Sequence, residues 1–556
     1  MKIKKEKNNK MKVIKRNGQV VDFDREKIKI AIEKAKKEVR PKQRATMDEI
    51  KEIIKYIAES DKKRMLVEDI QDIIEQKLME IGRYELAKRY IVYRYTRALV
   101  RKQNTTDETI LGLLRNANQG FDYKNQTENT SITAVEQRNY IASEVSKDLT
   151  KRMLLPEKIS KAHEEGILYF HNSEYFIQPI INSSFINIGD MLDNGTVICG
   201  KMIETPKTFQ VACIVVAQII AAVSCNQYGE QAVDLTHLGR YLRRSYEKYK
   251  NEIKSNYGEK IKSEIVEELV QRRVKEELKS GIQSLQYQLN TLITTKGNIP
   301  DVTLVLHLET EDEYLNENKQ IVKEILEQRY NGIKNEEGVF TIPSFPKIIY
   351  VKDEEIKVNS KEFEKLKEII EKSKIQVINK KMEEDYEGKF DQGKVSINLA
   401  QIGIIADGNE KEFWNLLDER LEICKEALMC RHYALLGTNS DVSPIHWQYG
   451  AISRLQKGEK IDKLLYGYCS TITLGYVGIE QATKLIKGVS IDDVEGYEFS
   501  KRIIKHLKDA IKRWKKETNV GFILSDLSDE KASYTFLKID KENYGTIKGV
   551  TDGKKY

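Results

Sequence analysis

Apolar positions near the start of the chain follow two rhythms. Val13 to Phe23 places short apolar stretches on either side of Asn17-Gly18, a dipeptide that accepts the positive φ of a tight hairpin turn, so two short strands are predicted. From Asp24, placed as an N-cap, Ile28, Ala31, Ile32, Ala35 and Val39 recur at helical intervals. Ile70, Ile73, Ile74 and Leu78 predict a second helix, and a third is expected from about Arg83 to Arg101. The unit expected over 11–100 is a β-hairpin backed by helices, after a basic tail at 1–10. Residues 101–130 are polar, rich in Asn, Thr and Gln, and read as a linker. Over 131–556, amphipathic helical stretches alternate with apolar runs such as Val302–Leu308, Lys347–Val351, Lys394–Leu399 and Ser470–Tyr476, the pattern of an α/β architecture. Residues 239–290 read as a charged helical segment, one helix or two, facing solvent or a second subunit.

Composition narrows the class. A chain of 556 residues holds several domains. Its net charge of +7, from 93 basic and 86 acidic residues, is small for that length and shows no dense one-sided cluster, so no nucleic-acid partner is expected. No run approaches the roughly 18 apolar residues of a membrane helix, and no apolar stretch follows the basic start; a cytoplasmic, membrane-free protein is expected. Cys199, Cys213, Cys225, Cys424, Cys430 and Cys469 form no C-x-x-C pair, which argues against a zinc ribbon or a disulfide framework.

Candidate chemistry begins with Lys15 and Arg16 at the hairpin, Lys27 in the first turn of the first helix, and Arg94 and Arg97 on one face of the third. Cations converging near a helix N-terminus suit a polyphosphate, although surface charges alone give the same pattern. The order of three strings adds to this: K-R-N-G-x-V-V-x-F-D-x-x-K-I, V-E-D-I-Q-D-I-I-E and A-K-x-Y-I-V-Y-R-Y-T-R. Together they resemble the ATP-cone, a domain that senses ATP against dATP in many ribonucleotide reductases and in a related transcriptional repressor. The resemblance implies that Val13, Lys15, Arg16, Lys27 and Arg97 line a pocket for ATP or dATP as allosteric ligand.

Several later segments resemble the class III anaerobic ribonucleoside-triphosphate reductases. These are Asn182–Gly200, Phe209–Gly229, Gly281-Ile282-Gln283 with Gln288-Leu289-Asn290-Thr291, Phe345-Pro346-Lys347, Ser443–Ala451, Gly467–Tyr476 and Tyr534–Tyr556. The resemblance implies a ten-stranded α/β barrel and a homodimer paired through helices. It also implies radical chemistry, with a glycyl radical, a cysteine that becomes a thiyl radical and a second cysteine on the other face of the ribose. The family's first-strand cysteine follows an asparagine, but here Asn182 is followed by Ser183. Gln376–Lys394, where the radical cysteine is expected, contains none, and Ala400-Gln401 replaces the usual Pro-Arg. The glycyl-radical loop and four-cysteine zinc site expected after Tyr556 are absent, so no metal is expected in this chain. Asn398 stands where the family keeps a polar active-site residue, a relic able to bond a ribose. The remaining cysteines read as core residues. Three functions are open: a nucleotide sensor or regulator of an active reductase, the large fragment of a split reductase completed by a separate glycyl-radical chain, or the product of a decayed reductase gene.

Overall fold

The hairpin forms where the Asn-Gly signal places it: β1 (Lys12–Ile14) pairs antiparallel with β2 (Val20–Asp22), Val13 opposite Val21. Asp24 Oδ1 accepts the Glu26 N–H at 3.0 Å, and the helix Arg25–Lys36 buries Ile28, Ile32 and Ala35. Two further elements were not expected. β3 (Arg64–Leu66) adds in parallel to the other edge of β1, and Met47–Ala58 is a helix. That helix has a reciprocal capping box, the Thr46 N–H to Glu49 Oε2 at 2.7 Å and the Glu49 N–H to Thr46 Oγ1 at 3.3 Å. Its Ile50, Ile53, Ile54 and Ile57 make one buried stripe. Helices Val67–Glu80 and 84–95 complete the core.

The computed structural model describes residues 12–14, 20–36, 39–58, 64–95, 134–257, 262–309, 311–352, 370–372, 375–379, 386–467, 469–525 and 529–556. The expected tail, linker and extension of the third helix to Arg101 lie outside these. The chain divides into two units, Met1–Gln126 with Ile539–Gly545, and Thr127–Lys538 with Thr546–Tyr556.

The second unit is built on one sheet. Its strands are β4 (Leu168–Phe170), β5 (Ser183–Ile186), β8 (Gln231–Asp234), β9 (Val302–His307), β12 (Lys347–Lys352), β13 (Gln376–Asn379), β14 (Phe390–Asn398), β15 (Ser470–Val477) and β16 (Gly521–Ser525); β6 (Thr196–Ile198) with β7 (Lys201–Ile203), and β10 (Ile333–Lys334) with β11 (Phe340–Thr341), are separate hairpins. The order is β13-β12-β9-β8-β5-β14-β15-β16, with β4 also on β14. Strands β5, β8, β9, β12 and β13 run parallel, as do β14, β15 and β16; the two sets meet antiparallel at β5 and β14. Nine strands pair among the described residues, against the ten of the expected barrel, and β13 and β16 are the edges. Gln376–Lys394, where the family resemblance places a radical cysteine, contains β13 and the start of β14.

The helices cover the sheet in two apolar layers. Phe209–Ser224 is buried nearly all round. Its N-terminus is satisfied by neighbours, Phe209 N–H donating to Ser245 Oγ at 2.8 Å and Gln210 N–H to Glu277 Oε1 at 3.0 Å. The segment expected at 239–290 is two helices, Gly239–Tyr257 and Ser263–Thr291. The second buries Val266, Val270, Val274, Leu278, Ile282, Leu285 and Leu289, so one of its faces belongs to the protein's own core. The other layer packs Phe413, Leu417, Leu421 and Cys424 against Phe499, Ile503 and Trp514. Among the described residues no helix is long and apolar enough to cross a membrane.

In the first unit, Arg83 grips Glu49 through Nη2–Oε1 at 2.9 Å and Nε–Oε2 at 3.3 Å, and this bond holds the Glu49 carboxyl below its usual range. A depressed folded pKa stabilises above the unfolded value and is lost as pH falls through the folded one. Glu49→Gln should therefore cost about 0.5–1 kcal/mol at neutral pH. The gap to wild type should close as pH drops below about 4.3. Urea unfolding of the two proteins across pH checks this; a gap unchanged down to acid pH would contradict it.

Candidate functional site

Alternation along β14 separates two chemistries. Val395 and Ile397 point into the helical layer, with Phe170 and Leu168 of β4 as register partners. Asp391, Lys394 and Ser396 share the other face. Register extends this into rows: Ser183 of β5, Asp391 and Thr471 of β15 lie side by side, Lys394 stands beside Thr473, and Ser396 lies between Tyr169 and Gly475. These rows are mostly polar, with Ile523 of β16 beyond Thr473 and Val477 at the end of β15 as apolar exceptions.

Asp391 is the centre of the first row. Its Oδ1 accepts from Asn182 Nδ2 at 2.9 Å, and its Oδ2 from Thr473 Oγ1 at 2.6 Å and Thr471 Oγ1 at 3.2 Å. Burial nonetheless raises its pKa above the usual value. Between Asp391 and Lys394 the register slips at a bulge holding Gln392 and Gly393. Gly393 has φ +147°, and a Cβ there would lie 2.5 Å from Arg431 Cδ, so glycine is required on both counts. Into that space comes Arg431 from the helix Glu410–Leu435, donating through Nη1 to Tyr228 OH at 3.1 Å and through Nη2 to the His171 carbonyl, with its guanidinium 4.0 Å over the Phe170 ring.

Beside it, Gln392 Nε2 donates to the Leu465 carbonyl and Ser470 Oγ, which leaves its Oε1 to accept from His432 Nδ1 at 3.1 Å. A second network lies behind β5. Gln227 Nε2 donates to the Glu230 carbonyl, so its Oε1 accepts both the Ser184 hydroxyl at 2.7 Å and His446 Nε2–H at 3.1 Å. His446 Nδ1 then accepts from Ser443 Oγ at 2.6 Å, and burial pushes this imidazole down to about 3. The motif Ser443–Ala451 is thus tied to the turn after Phe209–Ser224, and Asn187 N–H reaches the Ala451 carbonyl at 2.9 Å.

The sequence candidates are distributed unevenly. Asn398 is buried; its Oδ1 accepts the Gln401 N–H at 3.1 Å and its Nδ2 donates to the Gly166 carbonyl at 3.0 Å, so it is the N-cap of Leu399–Ala406. Those bonds occupy the side chain that the family resemblance offered to a ribose. Ser183 is half-buried in the polar row. Cys213 and Cys424 lie in the cores; burial raises both thiols, that of Cys424 to about 12, while Cys199, Cys225 and Cys469 are exposed. In the first unit Val13 is buried, and Lys27 is exposed with Asp24 Oδ2 3.9 Å away. Lys15, Arg16 and Arg97 lie outside the described residues. Arg94 meets Glu68 at 2.6 Å, Asp72 at 2.5 Å and Glu75 at 3.0 Å, so three carboxylates already answer its charge. Sequence reasoning did not single out Asp391, Arg431, His171 or His446; a glycine beside buried polar residues in a strand was the available signal for the bulge.

The family model for anaerobic ribonucleoside-triphosphate reductase matches residues 126–556, and that for the ATP cone domain matches 11–99. This chain belongs to the anaerobic ribonucleoside-triphosphate reductase family. It is 30 % identical to the anaerobic ribonucleoside-triphosphate reductase of Haemophilus influenzae, over 98 % of this chain and 80 % of that protein. With the enterobacteria phage T4 reductase it shares 29 % identity, over 81 % of this chain and 77 % of that one. The fold is similar to the Thermotoga maritima anaerobic ribonucleotide reductase crystallised with dATP in its specificity site, with a TM-score of 0.59 and 13 % identity over 82 % of this chain and 81 % of that one. The polar face therefore lies in the reductase domain, on the strands that join its two half-sheets.

A raised folded pKa favours the protonated carboxyl, a contribution present below the unfolded value and lost as pH rises through the folded one. Asp391→Asn cannot ionise. Its thermal midpoint, relative to wild type, should therefore move in the variant's favour as pH rises from about 4 toward neutrality. Calorimetric scans that give a constant difference would show that burial does not raise the Asp391 carboxyl as described.

Proposed function

We propose that this chain is a nucleotide-binding member of the reductase family that senses ATP or dATP through its cone and does not by itself reduce ribonucleotides. The observation that carries the second half is Ser183. It occupies the position where the family resemblance calls for a cysteine, and its neighbours in the row are Asp391 and Thr471. Hydrogen exchange with a ribose carbon needs a bond as weak as S–H, and a serine O–H is too strong. Gln376–Lys394 likewise contains no cysteine. The alternative, a reductase completed by a separate glycyl-radical chain, draws on the same family membership. Ser183 and Gln376–Lys394 weigh against it, because a second chain would not replace positions inside this one. A homodimer, or pairing with an active reductase, fits a sensor role, as does the dATP bound by the Thermotoga protein.

For the cone, charge-assisted phosphate contacts are worth roughly 1.5–3 kcal/mol each. Lys15→Ala with Arg16→Ala should then weaken ATP or dATP binding by about a hundredfold or more, read by calorimetry on the intact chain. Arg94→Ala should instead lower the cone's stability, its charge being committed to three carboxylates. No nucleotide binding by the wild-type chain would overturn the sensor reading.

For the reductase domain, anaerobic assays with all four ribonucleoside triphosphates, a radical-activating enzyme and reductant should give no deoxynucleotide. Ser183→Cys alone should restore none. Turnover above background, or a glycyl doublet by electron paramagnetic resonance, would reverse the assignment.

A further inference from the structure

Halfway along β14, the polar face carries a cation. Lys394 Nζ lies 3.4 Å from Asp529 Oδ2, and His171 Nε2 lies 3.1 Å from the same oxygen and 2.8 Å from Ser396 Oγ. The Lys394, Asp529 and His171 side chains are 18 %, 15 % and 10 % exposed. Gly475 leaves room for the Ser396 and Lys394 side chains, since a Cβ there would stand 2.4 Å from Ser396 Oγ and 2.6 Å from Lys394 Cε. Asp529 also caps the helix Glu530–Tyr544, its Oδ1 accepting the Ala532 N–H at 3.1 Å.

We propose that Lys394, His171 and Ser396 form a pocket for a small carboxylate anion, and that the chain's own Asp529 is its resident occupant, an internal ligand that latches the segment after β16 over the polar face. The segment has other attachments, among them buried Leu537, Val550 and Thr551 and the Lys555–Glu530 ion pair. Its apolar contact has three buried side chains, Val477, Ala532 and Phe536, with Tyr169 and Tyr556 packed on them, and Ser533 Oγ donates to the Tyr556 carbonyl at 2.7 Å. The carboxylate serves both attachments, one oxygen for the helix and the other for the sheet. Lys394, within a strand that is otherwise buried, needs a counter-charge there.

Hydrogen exchange on the full chain tests the latch. Asp529→Asn keeps the capping oxygen and removes the charge; Lys394→Met removes the cation. Each should speed amide exchange in 529–538 by about tenfold or more while the helix Phe209–Ser224 stays protected. The double variant should be no worse than either single one. Asp529→Gly empties the pocket. At constant ionic strength acetate should then raise its thermal midpoint, and leave wild type and Asp529→Gly/Lys394→Met unmoved. Wild-type protection of 529–538 in both Asp529→Asn and Lys394→Met, or an equal acetate effect on all three proteins, would overturn the proposal. The exchange arm needs neither nucleotide nor turnover, so it stands apart from the sensor reading.

Discussion

A guanidinium without water needs acceptors and a polarisable neighbour, and Arg431 finds both only because β14 bulges. Its two terminal nitrogens reach Tyr228 and the His171 carbonyl, and Phe170 lies beneath its plane. These partners come from the turn after Phe209–Ser224 and from β4, while the bulge itself belongs to β14. One side chain therefore joins parts of the protein far apart in sequence. Gly393 admits it by having no Cβ, and the slipped register turns Lys394 onto the polar face with Asp391. Had the strand run regularly, one of those two charges would have pointed into the apolar layer.

The same constraint explains how the two half-sheets share a strand. The edge of β14 away from β15 is divided, β5 taking Phe390 and Asp391 and β4 taking Val395 to Ile397. The interval between them is the bulge, where Gln392 turns its amide to Leu465, Ser470 and His432. Polar groups withdrawn from the ladder are met by side chains, which is the general condition for burying an irregular strand.

Much of this was legible from residue patterns, for reasons that differ by element. The Asn17-Gly18 hairpin and the strand through Val395 and Ile397 declare themselves because turn geometry and apolar alternation are local. Met47–Ala58 was missed although its isoleucines are spaced at three and four and Thr46 and Glu49 form a capping box. The bulge was only partly legible, because Gly393 within a strand signals one, but what fills it, Arg431 some forty residues on, is met only in three dimensions. Asn398 was read through its family position; its bonds to Gln401 and Gly166 belong to a helix start that the strand pattern did not reveal. Asp529 lay beyond pattern altogether, since its partners Lys394 and His171 meet it only in three dimensions.

The two units handle positive charge in contrasting ways. Arg94 and Arg83 are met by carboxylates of neighbouring helices, so their charges are spent on holding helices together. Lys27 is exposed, with one carboxylate at the limit of an ion pair. On the polar sheet face the balance is different again. Asp391 is surrounded by hydroxyls and an amide, and Lys394 by a carboxylate and an imidazole, each drawing partners from neighbouring rows and segments. A face arranged in this way orders hydroxyl and carboxylate groups through directional bonds. On the proposed reading, in which Ser183 stands where the family has a cysteine, its hydroxyl would give a ribose a hydrogen bond but not the weak S–H bond that radical chemistry needs. The distinction rests on bond strength, which the change from sulfur to oxygen alters far more than it alters side-chain shape.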